Sequence, residues 1–332
     1  MTMRPPEERA NRLRLQPGSP RGHAESYFLK ANDPDGSRAF WLKFTFMSPA
    51  GKPEQALAEV WAIVFDRKTG RNRAAKESFP FAAATTSSDP FRIEVGGSML
   101  ETGKTRGAIT TGAEPISWDL GFTTRSQLHR PLPFDWMYRA KVPRQKLVTP
   151  YPDERFAGVV EVGDRAIEVA GWPGMQGHNW GSEHTFAYAW CHCNVLGTEG
   201  FFEGFSGKVK LGPVKTPWLT LATLAIDGRR IHFDGPSQML SRKVDVGRYF
   251  WRFAVRRGAT SLEGEAVAER DDMMGLTYEN PGGPLTYCLN SKLARLSLEL
   301  HEPGSPARRF ESDAAALELG TRDPSHGVRM VL

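Results

Sequence analysis

Ala39–Met47 reads AFWLKFTFM, and the next segment of the same character, Leu57–Asp66, reads LAEVWAIVFD. Both are rich in the aromatic and β-branched side chains that fit a pleated surface, and both end at clusters of Gly, Pro, Asp or Asn. The texture continues outward. Ser26–Lys30, Arg106–Thr111 and Ile116–Thr123 read as strands in the first half. Phe156–Val162, Ala166–Ala170, Phe186–Val195, Phe201–Leu211, Trp218–Ile226, Tyr249–Val255, Thr260–Ala268 and Leu293–Leu300 follow in the second. Asp35-Gly36, Thr69-Gly70, Gly96-Gly97, Gly163-Asp164 and Asp227-Gly228 carry hairpin-turn chemistry between them. Many short strands, with turn signals between them and almost no helical periodicity, predict an all-β protein of sandwiches or closed barrels rather than βαβ units.

The chain has 332 residues, more than one core usually serves, so two barrel-like domains are expected. Residues 1–23 read as a flexible arm, 24–165 as the first domain and 166–332 as the second. Arg130–Pro152, with five prolines and a weak strand pattern, reads as an ordered crossing over the first domain. The net charge of +5 comes from scattered Lys and Arg without a run of like charge, which argues against nucleic-acid binding. The three cysteines make no disulfide framework. No stretch has signal-peptide or membrane-span character, so a cytoplasmic protein is expected, with peripheral membrane contact left open. No nucleophile elbow, P-loop, dinucleotide fingerprint or metalloprotease helix is found, and neither covalent nor nucleotide chemistry is expected.

Side chains able to do chemistry concentrate in Gly171–Asn194, GWPGMQGHNWGSEHTFAYAWCHCN. Its four glycines predict a tight loop opening into an aromatic strand. On that strand Tyr188, Trp190, His192 and Asn194 share one face, which could line a barrel interior holding an apolar ligand, while Cys191 and Cys193 share the other. The alternation separates His192 from both cysteines and makes a zinc site poor geometry; no metal is expected. Glu183 and His184 stand in the same loop. Glu203, between Phe201 and Phe205, has two readings: a carboxyl held protonated by apolar company, or a solvated group at a strand end. His178 is the other candidate proton donor. Trp180 could present its ring to a cationic centre or anchor the loop.

Ser26-Tyr27-Phe28 followed by an aspartate-glycine turn and AFWLKFTF, then ISWDLGF at Ile116–Phe122, GHNWG at Gly177–Gly181 and YAWCHCN at Tyr188–Asn194, together resemble the double-domain lipocalin-like family that includes carotenoid 1,2-hydratase, tocopherol cyclase and Diels–Alderase relatives. The resemblance implies two consecutive calycin/lipocalin-like antiparallel β-barrels with little helix and an apolar pocket at or between them. It implies chemistry by proton donation and shape without a cofactor, and importance for His178 and Trp180. The tyrosine and aspartate that the hydratases carry farther along have no counterpart in Phe201–Lys208, where Glu203 is the only acid.

The expected function is thus a cofactor-independent hydratase, cyclase or isomerase acting on a bulky apolar, isoprenoid- or polyketide-like small molecule. His178, Trp180 and Glu203 would be catalytic, with Tyr188, Trp190, His192, Asn194, Glu183, His184 and Trp136 around the substrate. The alternative is a non-catalytic carrier using the same pocket. Because the crossing must pass near the His178 loop, the site is expected at the domain junction, with Asp135, Trp136 or Tyr138 opposite His178 and Trp180.

Overall fold

The computed structural model describes residues 6–112, 114–211, 214–240 and 243–332. It is nearly all β: the described residues hold two helices of five and four residues and four 3-10 turns, and every other regular element is a strand. Two large antiparallel sheets each curl around a core of their own.

The first sheet has eleven strands. A four-stranded meander, His23–Asn32, Arg38–Ser48, Leu57–Asp66 and Arg73–Pro80, is joined to a second meander running from Thr85–Ser88 to Ile116–Phe122. The join is made by two long strands, Gln145–Val162 against Ile116–Phe122 and Arg165–Gly181 against His23–Asn32. In the second, ten-stranded sheet, Ala187–Cys193 lies between Gly200–Lys208 and Arg308–Thr321, and Leu285–His301 continues the sheet beyond the latter.

Alternation sorts each central strand onto two buried faces. Phe40, Leu42, Phe44 and Phe46 enter the first core, whereas Ala39 and Trp41 of the same strand enter a third cluster shared by the two sheets. Leu57–Asp66 divides likewise, Val60, Ala62 and Val64 inward and Trp61, Ile63 and Phe65 outward. From the other side Tyr188, Trp190, Leu276, Tyr278, Cys288 and Ala316 complete the shared cluster. Each buried large apolar side chain contributes about 1.5–3 kcal/mol, against about 1 kcal/mol or less for an exposed ion pair, so this layer holds the sheets together. The partly exposed Arg67–Asp272 pair between them, at 2.7 Å, is secondary.

Four expectations are corrected. Gly171–Gly181 is no loop but the second half of the strand Arg165–Gly181. A Cβ at Gly174 would lie 2.4 Å from the Lys30 carbonyl oxygen, and one at Gly181 would lie 1.9 Å from that of Arg144. These glycines therefore admit neighbouring backbone rather than turn the chain, and Gly171, at φ 68°, bends it. Consequently the chain leaves the first sheet after Gly181, not at residue 165, since Arg165–Gly181 is hydrogen-bonded inside that sheet. Within the crossing, Gln145–Pro152 is already strand.

The fourth correction concerns the arm. Residues 1–5 lie outside the described residues, but 6–22 are docked, with Ala10, Asn11 and Leu15 buried. Asn11 and Gln176 exchange side-chain hydrogen bonds of 3.0 and 3.1 Å. The fully buried Glu25 carboxylate accepts from the backbone N–H groups of Arg14 and Leu15 and from the Tyr27 hydroxyl, and it faces His178 Nε2 at 2.8 Å and His23 Nε2 at 3.0 Å. Burial pushes its pKa up, but these partners outweigh burial and hold it well below the usual carboxylate range. Glu25→Ala strips the charge from this set and leaves buried donors unmatched. It should lower the unfolding free energy by about 3–5 kcal/mol in urea titrations at pH 7, and an effect below about 1 kcal/mol would show the arm to be held otherwise.

Candidate active site

The junction between the sheets contains a cavity of about 430 Å³. Phe28, Trp41 and Lys43 contribute from the first sheet, Pro131–Leu147 of the crossing covers one side, and Tyr188, Trp190, Glu203, Phe205 and Tyr278 contribute from the second. The size is that of a small-molecule site, and the walls are mostly apolar. Trp136 and Val142, 59% and 44% exposed, mark the rim.

Glu203 is the chemically distinctive wall residue. Strand alternation puts it on the junction face of Gly200–Lys208, whereas Phe202 on the other face enters the second core. It is 3% exposed. Trp190 Nε1 donates to Oε1 at 3.1 Å, and the Thr149 hydroxyl lies 2.7 Å from Oε2. His129 Nε2 is 3.9 Å away, and neither nitrogen of that buried ring has a hydrogen-bond partner. Burial raises the Glu203 pKa to about 7, against the hydrogen bonds from Thr149 and Trp190 that favour the anion. A carboxyl group that is half protonated at neutral pH therefore faces an apolar cavity. Of the two sequence readings, the structure has the buried one.

Other sequence candidates divide. Tyr188 and Trp190 line the cavity; Cys191 and Cys193 lie in the second core. The Tyr188 face is not a barrel interior, as alternation alone had it, but the outside of the second sheet turned toward the first. His192 and Asn194 are off the cavity: His192 Nε2 lies 2.9 Å from the Pro152 carbonyl oxygen, and Asn194 accepts from Lys30 and donates to Gly174 and Asp153. His184 lines the wall, stacked on Tyr278 with ring centroids 5.1 Å apart, and burial lowers its pKa to about 3. Glu183 is tied to Arg144 and Arg322. Trp136 lines the rim, whereas Asp135 pairs with Arg130 and the Tyr138 hydroxyl accepts from the Leu132 backbone.

The expected cleft in front of His178 and Trp180 is corrected. Asn179 lines the cavity, and its two neighbours point to the opposite face. His178 is fully buried against Tyr27, with Nδ1 2.8 Å from the Ala10 carbonyl oxygen and Nε2 on Glu25. Burial lowers its pKa while Glu25 opposes the shift. Trp180 lies under the Arg14 guanidinium, 3.6 Å from the ring centroid. Both side chains thus hold the arm to the sheet. Sequence reasoning passed over Thr149, which carries no signal of its own, and Lys43, whose signal was a charge inside AFWLKFTFM.

Fold and site define an all-β protein of two curled antiparallel sheets with an apolar cavity at their junction. No protein-family profile matches the chain, and no curated protein matches it in sequence. Among solved structures, a Nitrosomonas europaea protein under the provisional designation AttH matches with a TM-score of 0.53 at 15% identity, over 93% of both chains. Kievitone hydratase from Nectria haematococca matches with a TM-score of 0.48 at 11% identity, over 93% of this chain and 92% of that one. At 15% identity the likeness to the first is one of fold.

The raised pKa has a consequence for stability. Folded Glu203 holds its proton more tightly than the unfolded chain does, so its contribution is complete below about pH 4.5 and is lost as pH rises to about 7. The loss amounts to roughly 3 kcal/mol. Urea titrations of wild type and Glu203→Gln should therefore diverge over that window, the variant gaining relative stability toward pH 8. Parallel pH profiles would mean that Glu203 titrates normally.

Proposed function

We propose that this protein is a cofactor-independent enzyme of the hydratase, cyclase or isomerase type, with Glu203 as its general acid and a bulky apolar molecule as its substrate. One observation carries the reading: a protonatable carboxyl, its pKa raised to about 7, set in the wall of an otherwise apolar cavity. The resemblance to lipocalin-like hydratases and cyclases adds to it.

The chemistry follows from the geometry. Neutral Glu203 transfers its proton to an alkene carbon or a leaving group. The carboxylate left behind accepts from Trp190 Nε1 and from Thr149, both already in place. The cation formed on the substrate then faces Trp190, Phe28 and Phe205, aromatic faces that stabilise cations by roughly 0.5–2 kcal/mol each. Capture by water gives hydration, and capture within the folded substrate gives ring closure. The cavity wall selects which geometry is reached. After capture, the proton released returns to Glu203. The exposed Trp136 and Val142 provide an apolar rim through which such a substrate enters.

The test has two stages. Organic extracts of the purified protein, identified by mass spectrometry, supply the candidate substrate. Turnover in deuterated water then reports proton donation as deuterium carried into product. Glu203→Gln should reduce turnover by about a hundredfold or more with ligand binding retained, and the wild-type rate should fall as pH rises above about 7. A Glu203→Gln protein of unchanged rate would sink the assignment of the acid. A ligand recovered unaltered and unlabelled would instead make the protein a carrier.

A further inference from the structure

Lys43 is the other cavity residue whose chemistry asks for a partner. It is 4% exposed and lines the cavity wall. Its ammonium group sits 3.7 Å from the Tyr278 ring centroid, with the Trp61 and Trp41 rings at 5.6 and 5.7 Å. Ring faces offset part of the cost of burying a cation but accept no conventional hydrogen bond. The other buried lysines are each given oxygen acceptors: Lys30 has Asn32 and Asn194, Lys146 has the Ala140 carbonyl, and Lys292 has Asn290 and Glu318. Among the buried lysines of the described residues, Lys43 alone has no hydrogen bond and no ion pair.

Resting on the reading of this cavity as the ligand site, we propose that the ligand is an amphiphile whose apolar body fills the cavity and whose oxyanion, a carboxylate or an ionised phenol or enol, pairs with the Lys43 ammonium. The three unused N–H donors, the aromatic collar and the apolar surroundings are what such a head group requires. A charge-assisted contact of this kind in a desolvated pocket discriminates strongly against a neutral analogue. Trp41 beside Lys43 and Trp190 beside Glu203 are both packed against the Lys292 ammonium, at 5.5 and 5.7 Å. The cavity therefore addresses its ligand at two points: Lys43 fixes the head group, and Glu203 meets the reacting carbon.

Burial lowers the Lys43 pKa to about 8, with Glu318, Cys288, Glu59, Lys76, His184 and Tyr278, whose hydroxyl burial holds well above its usual pKa, as the titratable groups around it. The ammonium form thus prevails at pH 7 and the amine at pH 9.5.

The test compares two probes of equal shape, 2-naphthoate and 2-naphthalenemethanol, by isothermal titration calorimetry on the full chain. Wild type should bind the carboxylate about tenfold or more tightly than the alcohol at pH 7. Lys43→Met should abolish that preference while alcohol affinity stays as it was, which also certifies the folded cavity. Glu203→Gln, with the Glu203 carboxyl no longer there to ionise, should show the preference at pH 7 and lose it progressively as pH rises to 9.5, where the carboxylate probe is unchanged. Its preference at pH 7 lets failure of the proposed acid and failure of the oxyanion site be read separately. Equal wild-type affinities at pH 7, or a preference surviving in Lys43→Met, would overturn the proposal. Binding of neither probe would overturn it together with the reading of the cavity as a ligand site.

Discussion

Burial of both faces of the central strands is the constraint from which the rest of this molecule follows. In Arg38–Ser48 ten consecutive residues are buried, and in His23–Asn32 the last eight are. A curled sheet ordinarily keeps its outer face in water; here the first sheet offers Trp41, Trp61, Ile63 and Phe65 outward, which only a second apolar surface can satisfy. The second sheet supplies it with Tyr188, Trp190, Leu276 and Tyr278. Where the two curved surfaces fail to meet, the gap is the cavity. Its apolar character is inherited from the interface that surrounds it.

The same layer explains why polar groups there are consequential. A carboxyl or an ammonium on a water-facing strand would titrate normally, whereas Glu203 and Lys43 sit between two sheets and are shifted in opposite directions by one cause, the loss of hydration. Lys30, Asn32 and Asn194 lie in the layer too, but they bond to one another or to the Gly174 and Lys292 carbonyls and knit the sheets together. Glu203 and Lys43 differ from these residues in position: both stand in the cavity wall, where a ligand can reach them.

Much of the architecture was legible because alternation is a local signal. Leu57–Asp66 and Ile116–Phe122 were found with their ends within a residue, and the sorting of Tyr188 and Trp190 away from Cys191 and Cys193 follows from the pleat alone. Alternation does not say which face meets which neighbour. The aromatic face of Ala187–Cys193 was thus given to a barrel interior when it belongs to an interface. Glycine misled in a related way: positive φ and close backbone approach were both expected in Gly171–Gly181 and both occur, at Gly171 and at Gly174 and Gly181, but inside a strand rather than a tight loop. The chemistry assigned to His178 rested on a short motif. Its real partner, Glu25, is 153 residues away in the chain, beyond anything a local pattern can reveal.

That separation also governs how the chain can acquire its structure. The first sheet is joined through the pairing of His23–Asn32 with Arg165–Gly181, so on synthesis His23–Asn32 has one edge without its native neighbour until Arg165–Gly181 has also been made. At roughly 5–20 residues per second this interval is on the order of ten seconds, long compared with the microseconds in which a hairpin forms. The strand carries Tyr27, Phe28 and Leu29 in that state, an apolar edge exposed to any other chain nearby. The topology thus places a demand on protection of the nascent chain.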